Sequence, residues 1–473
     1  MRVLLVKPRL LSAHFGLAPF FRTEPLGLEY ISSALTARGH QVRIVDMCFE
    51  RCSLLKIVTT FRPRIVAISC LHILEAAATK RHVEEIRRAD GSVFIAVGGH
   101  SVASYPQALE GAPGIDAVCM GEGESVMVDL CEAIQQCRPV NEVPGLLLPA
   151  EDGRLVSTGE RREFLRMERV QPPDRAAVEA YRKHYVCLNL MPVWTMVTTR
   201  GCSHRCKFCS VWQFYKRTCR YHSVDHVRTD FQSTGKNLFV IDDLFWADPR
   251  RSEELGRALM ATGECKNWML VQSRTDLVSR SAELLRLWRP LAKNFDIFFG
   301  LESPTRKGLD SVQKDCDISK TLEAIRVARE CGFGVTGNFI IDPDFTEEDF
   351  YQLWNFIEAH QLFRVGFTIL TPLPGTKFFE GSRGRLKVLD WGQYDLHHLL
   401  WKSRLPVERF FEIYCETWRR TVLNAGGRKK WWQWLPQVDL RHIGHLARIL
   451  FRSQQLMNPQ AYLDEYVIPA DED

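Results

Sequence analysis

No stretch of this sequence is apolar for anything near the roughly 18 residues that a membrane-crossing helix needs. No block of like charge stands out, and no segment repeats or falls into low complexity. The first absence excludes a helical membrane span. The second removes the electrostatic footprint of a nucleic-acid binder, since 62 Lys and Arg stand against 57 Asp and Glu for a net charge of +5. A secretory leader is also not evident: Met1 to Pro8 has the look of a strand start, and Lys7, Pro8 and Arg9 follow too soon. A cytoplasmic location is the expectation. What is present is ordinary globular material, 45% apolar and 25% charged over 473 residues, enough for two or three domains with their own cores. The 15 cysteines are odd in number, and several lie inside apolar runs such as "IVAISC" and "IDAVCM". That is the usage of a reduced compartment, with most thiols acting as small hydrophobes.

The first 140 residues alternate short β-rich runs with helical stretches. The strands expected are "VLLVKP", "QVRIVD", "RIVAIS", "VFIAVGG" and "DAVCMG", with helices about 28–38, 54–61, 76–88 and 123–136 between and after them. This alternation predicts an α/β fold opening with a doubly wound, Rossmann-like parallel sheet, which binds ligands at the carboxyl ends of its strands. A hairpin about Asp152-Gly153 and a polar connector fill 141–190. Over 191–382 six further βα units follow, from "VWTMVTT" to "RVGFTILTPLPG", and predict a full or partial βα barrel with its chemistry at the strand ends. The last segment, 383–473, is expected to be a helical C-terminal region and carries six tryptophans.

Directly after the first barrel strand comes "TTRGCSHRCKFCSVW", with Cys202, Cys206 and Cys209 spaced C-x3-C-x2-C. Three thiolates on one loop can hold three irons of a cubane cluster and leave the fourth open to a chelating ligand. A zinc site completed by Cys219 or His222 is the structural alternative. With the aromatic Phe208 before the third cysteine, the segment from Val193 to Gly375 resembles the radical S-adenosylmethionine superfamily. The resemblance implies a [4Fe–4S] cluster whose open iron binds S-adenosylmethionine and whose reduction by an external flavodoxin- or ferredoxin-type donor generates a 5′-deoxyadenosyl radical. It also implies that Asp242 or Asp243 in "VIDDLF" receives the methionine ammonium. Gln272, Glu302, Ser303 and Asn338, at later strand ends, become candidates for the ribose and carboxylate.

The front domain has a register of its own. Ser69-Cys70-Leu71 is followed by 26 residues and then Gly98-Gly99, and 41 residues separate Gly27 from Ser69. Those intervals resemble the D-x-H-x-x-G, S-x-L and G-G elements of cobalamin-binding domains of the methionine-synthase type. Arg22 and Glu24 stand where the Asp and His would be, so no imidazole is available to ligate cobalt, and Glu24 is the candidate neighbour of the corrin. Ser69, Leu71, Gly98 and Gly99 join it, together with Gly121 and Gly123 of "MGEGE". Cys48 and Cys52 form a second C-x3-C with no third member and are expected to be structural.

Together the two parts resemble cobalamin-dependent radical S-adenosylmethionine enzymes, in which the corrin carries a methyl group and the radical activates a substrate carbon. "GRLKVLDWGQYDLHHLLWKSRLP" is similar to the branch of hopanoid C-3 and bacteriochlorophyll methylases. The implied activity is methylation of an unactivated carbon of a hydrophobic small molecule. A tetrapyrrole cyclase and a non-catalytic cobalamin or redox sensor are the rivals. In "LRHIGHLARILFR", Ile443, Leu446, Ala447, Leu450 and Phe451 oppose Arg441, His445, Arg448 and Arg452. Such a helix either packs on the barrel or rests on the inner face of a membrane.

Overall fold

Val3, Leu4, Leu5 and Val6 have no exposed surface, as a continuous apolar run should when helices cover both faces of its sheet. The computed structural model describes residues 1–9, 20–161, 163–314, 316–422 and 443–468. Strand β1 (Arg2–Lys7) is followed by a two-residue strand, β2 (Phe21–Arg22), which belongs to a separate ladder. β3 (Gln41–Asp46), β4 (Ile65–Ser69), β5 (Phe94–Gly98) and β6 (Ala117–Cys119) run parallel to β1 in the spatial order β3-β1-β4-β5-β6. β7 (Leu146–Pro149) and β8 (Leu155–Ser157) form the expected hairpin and extend this sheet antiparallel at the β6 edge. The period of two along β1 divides its side chains. Val3 and Leu5 join the helices Leu26–Thr36 and Gly123–Gln135, whereas Leu4 and Val6 join Leu54–Phe61 and Ala76–Ala89 on the opposite face. Each fully buried residue of this kind contributes about 1.5–3 kcal/mol.

β9 (Val186–Cys187) pairs with β2, so the end of the connector is stitched back to the front of the chain. The second sheet contains β10 (Trp194–Met196), while β11 (Thr199–Arg200) and β12 (Arg220–Tyr221) form a small ladder around the cysteine loop. β13 (Asn237–Val240), β14 (Lys266–Ser273), β15 (Ala292–Glu302), β16 (Gly334–Ile341) and β17 (Val365–Ile369) complete it in the order β10-β13-β14-β15-β16-β17, all parallel. It is an open, six-stranded partial barrel. Met269 and Val271 of β14 pack outward with the surrounding helices. Trp268 and Leu270, on its other face, meet Phe239, Phe298 and the connector residues Cys187, Leu190 and Val193. That apolar plug fills the inside and leaves the carboxyl ends of the strands for chemistry.

In the last region, helix Val407–Val422 packs on β17, with Trp418 edge-on to Phe367 at 5.2 Å and the Tyr414 hydroxyl donating to the Phe367 carbonyl at 3.2 Å. The stretch before it is mainly irregular, with short 3₁₀ turns at Arg383–Arg385 and Trp391–Gln393. Trp431, Trp432 and Trp434 of the tryptophan-rich tail, and Leu440 and Arg441 of the amphipathic segment, lie outside the described residues.

Candidate active site

The cysteine loop is fastened at its root. Asp242, fully buried at the end of β13, accepts the Thr198 and Thr199 amides at 2.6 and 3.1 Å and the Thr198 hydroxyl at 2.5 Å. Burial pushes its carboxyl up to about 6 against the pull of those donors. Gly201 then turns with φ +96°, where a Cβ would strike the Thr218 carbonyl, so only glycine fits. Beyond it, Cys202, Cys206 and Cys209 are all partly exposed. The loop is braced by the Trp212 indole and the Cys209 amide, both donating to the Cys206 carbonyl, at 3.0 and 3.2 Å. Phe208 packs partly buried against the main core, behind the thiols. Burial raises all three thiols, Cys202 to about 11 and Cys209 to about 12. At Cys206 the cations Lys314 and Arg274 oppose that rise.

The two alternatives for a fourth ligand are each engaged within the protein. The Cys219 thiol donates to the Gly201 carbonyl at 3.5 Å, and the buried His222 ring stacks on His226 at 4.2 Å and on Tyr30 at 5.8 Å. Among the described residues no three His, Cys, Asp or Glu side chains converge as one metal ion requires. Three thiols on a partly open loop suit three irons of a cluster better than a single zinc.

The other strand-end candidates divide by orientation. Asp243 has an exposed surface and accepts the Gly201 amide at 3.0 Å beside the cysteine loop, where desolvation pushes its carboxyl above the usual range. Gln272 and Asn338 lie on the same inner face as Phe298, and Asn338 donates to the Thr368 hydroxyl at 2.8 Å. Glu302 is buried and receives the Lys314 ammonium at 2.8 Å, while the half-buried Ser303 hydroxyl accepts the Thr305 amide at 3.2 Å. The cations that face Cys206, Arg274 and Lys314, were not visible as site residues in the sequence. A basic residue immediately after "VQS" was the one available signal for Arg274.

Across from this loop stand the carboxyl ends of the first sheet. The Leu71 side chain is 64% exposed, and its loop is held by Glu75, which accepts the Leu71 and His72 amides at 2.6 and 3.2 Å. Ser69, at the end of β4, is half-buried. Gly98 and Gly99 serve the protein itself as well as any ligand: the Cys70 amide donates to the Gly98 carbonyl at 2.6 Å, and a Cβ on Gly99 would overlap Cys70 backbone. A Cβ added at Gly121 would find nothing within 4 Å, whereas one at Gly123 would meet Ile31. Gly121 therefore keeps open space, and Gly123 lets the helix beginning there pack on Leu26–Thr36.

The two halves are clasped. Arg200, at the root of the cysteine loop, donates to Glu122 at 2.8 Å and to Glu124 at 2.7 Å, both from "MGEGE". Arg220 forks onto Glu122 at 2.8 and 2.9 Å. Burial would raise Glu122, but Arg220 and Arg200 outweigh it and hold its carboxyl below the usual range. His100, next to Gly99, lies 2.7 Å from the Ser210 hydroxyl and packs on Phe214. These acidic residues sat in plain view beside the glycines, but their partners are 76 to 98 residues away.

Glu24 is a correction. Expected beside the corrin, its side chain has no exposed surface. It accepts the Thr195 amide at 2.6 Å and the Arg175 guanidinium at 2.7 Å, and also pairs with Arg182. Arg175 in turn grips Asp230 at 2.9 Å. Where a histidine would reach out to a metal, this chain has a carboxylate turned inward to bind the connector and the barrel.

Residues 17–131 match the B12 binding domain family, and residues 196–357 match the Radical SAM superfamily. The chain is therefore a cobalamin-dependent radical S-adenosylmethionine enzyme, and its cofactors are cobalamin, a [4Fe–4S] cluster and S-adenosylmethionine. It is 29% identical over 465 residues to a hopanoid C-3 methylase of Methylococcus capsulatus, covering 95% of this chain and 87% of that one. It is 27% identical over 414 residues to an anaerobic magnesium-protoporphyrin IX monomethyl ester cyclase of Rubrivivax gelatinosus, covering 84% and 72%. Among solved structures, the cobalamin-dependent S-adenosylmethionine radical enzyme OxsB superposes with a TM-score of 0.71 at 16% identity, over 98% of this chain and 74% of that one. The methyltransferase TsrM from Kitasatospora setae, with cobalamin and a [4Fe–4S] cluster bound, gives 0.66 at 18% identity, over 80% and 76%.

Proposed function

We propose that this enzyme transfers a methyl group to an unactivated carbon of a hydrophobic, polycyclic substrate. The observation that carries the reading is the clasp: Arg200, Arg220, Glu122 and Glu124 hold the open end of the B12-binding sheet against the cysteine loop of the barrel. When bound, the cluster with S-adenosylmethionine supplies a hydrogen-abstracting radical, and the corrin supplies the methyl group.

The chain's own residues supply position and charge. Cys202, Cys206 and Cys209 would hold three irons of the cluster, and Asp243 would offer a carboxylate to an ammonium beside them. Arg274 and Lys314 favour anionic groups near Cys206. Leu71, exposed at the front-domain edge, offers apolar contact to a large ring. The plug of Phe239, Trp268, Leu270 and Phe298 closes the barrel from within and would help exclude water from the strand ends. The similarity to the hopanoid C-3 methylase over nearly the whole chain supports an apolar polycyclic substrate.

The test is anaerobic reconstitution with iron, sulfide and cobalamin, followed by turnover with S-adenosylmethionine, a reductant and panels of triterpenoids and tetrapyrroles. The expected outcome is 5′-deoxyadenosine and S-adenosylhomocysteine together, with product heavier by one methylene. A product that has lost hydrogen or gained oxygen without that methylene would favour the cyclase reading, which the resemblance to the magnesium-protoporphyrin enzyme keeps in view. Absence of 5′-deoxyadenosine with every substrate would favour a sensor.

A further inference from the structure

Helix Ile443–Leu456 contains no acidic residue. Its inward side carries Leu456, which is buried, and Ile449, which is half-buried. Its outward side carries Leu450 and Phe451, which are 67% and 59% exposed. His445 fixes the helix in place, its ring 2.7 Å from the carbonyl of Leu188, itself 54% exposed at the turn after β9. Arg448 and Arg452 flank the apolar side, and both lie near enough to Arg22 to repel its charge. A soluble surface seldom gathers large apolar side chains beside several cations on a helix that carries no acid.

We infer that Leu188, Leu450 and Phe451, framed by Arg22, Arg448 and Arg452, form a docking surface for an anionic lipid bilayer. Leu and Phe inserted at the headgroup boundary, with arginines around them, is the arrangement by which an amphipathic helix lies in an interface. A second copy of the chain fits less well, because a two-fold contact through this patch would set the arginines of one copy against those of the other. Among the described residues no helix is long and apolar enough to cross a membrane, so the contact is peripheral. The inference does not depend on methyl transfer, although a bilayer is also where a hydrophobic polycyclic substrate would be found.

The test is sedimentation of the reconstituted full-length enzyme with phosphatidylcholine vesicles, with and without phosphatidylglycerol. Binding is expected to the anionic vesicles and to weaken with salt. Arg448→Gln and Arg452→Gln should each weaken it about fivefold. The double variant Leu450→Glu, Phe451→Glu should abolish it while the circular-dichroism melt and cleavage of S-adenosylmethionine stay unchanged. No binding to either vesicle overturns the inference. So does equal binding to both vesicles, or a dimer in solution that the double variant converts to monomer, which would assign the patch to a second copy.

Discussion

Glu29 shows what a single buried carboxylate does here. Its side chain has no exposed surface, and burial pushes it up to about 8 although Arg175 pulls the other way. The folded protein therefore binds this proton more tightly than the unfolded chain does. The associated stability is complete below the ordinary value of 4.5 and is lost as pH rises toward about 8. Glu29→Gln should flatten that decline and stabilise the protein by on the order of 1–2 kcal/mol above about pH 8, measured by urea denaturation at acidic and alkaline pH. An unchanged pH slope would rule out Glu29 as its source. Cys206→Ala acts on chemistry instead: iron per chain and yield of 5′-deoxyadenosine should both fall, the latter by more than about a hundredfold. Normal iron and normal cleavage in that variant would remove Cys206 from the ligand set.

At the scale of elements, two loops face each other, and replacing one residue in each should have contrasting effects: one separates binding from folding, the other couples them. Leu71, 64% exposed, adds little to stability, so Leu71→Glu should leave the melting temperature nearly unchanged while weakening cobalamin binding about tenfold. Equal cobalamin affinity would show that the S-x-L loop does not touch the corrin. Gly201→Ala has the opposite character: at φ +96° and against the Thr218 carbonyl, the added methyl should displace the cysteine loop at a cost of about 1–3 kcal/mol. Iron incorporation, followed by the visible absorbance of the cluster, should fall with it.

For the whole molecule, the question is how the two sheets keep their spacing. Arg200→Met would leave Glu124 without its guanidinium and Glu122 with Arg220 alone, and breaking a buried pair costs about 3 kcal/mol. Because Arg200 is buried and its guanidinium is spent on Glu122 and Glu124 across the two halves, its loss should preserve reductive cleavage of S-adenosylmethionine. Methylated product per 5′-deoxyadenosine should then fall, with partial recovery in Arg200→Lys. A parallel fall in both products would mark the residue as merely structural.

Much of this architecture is legible in one dimension. Runs such as "RVLLVK" and "NLFVIDD" carry strand periodicity, and the carboxyl-end rule then places "TTRGCSHRCKFCSVW" at an opening before any coordinate is known. The spacing of Ser69, Leu71, Gly98 and Gly99 is likewise local in register, which is why the B12-binding half could be expected from its intervals. The helices of the last region were harder to place, since the turns from Arg383 to Pro406 pack against both domains and follow no period. Glu24 and Glu122 could not be sorted from the sequence at all. A carboxylate beside a motif looks the same whether it faces a ligand or an arginine, and the arginines that decide it, Arg175 and Arg220, lie 151 and 98 residues distant. Composition, periodicity and short-range spacing thus determined the fold class, and the resemblance of those spacings to known families implied the cofactor chemistry. Only the tertiary structure decided which charges pair across the halves, because the free energy of a buried ion depends on what is folded against it and not on its neighbours in the chain.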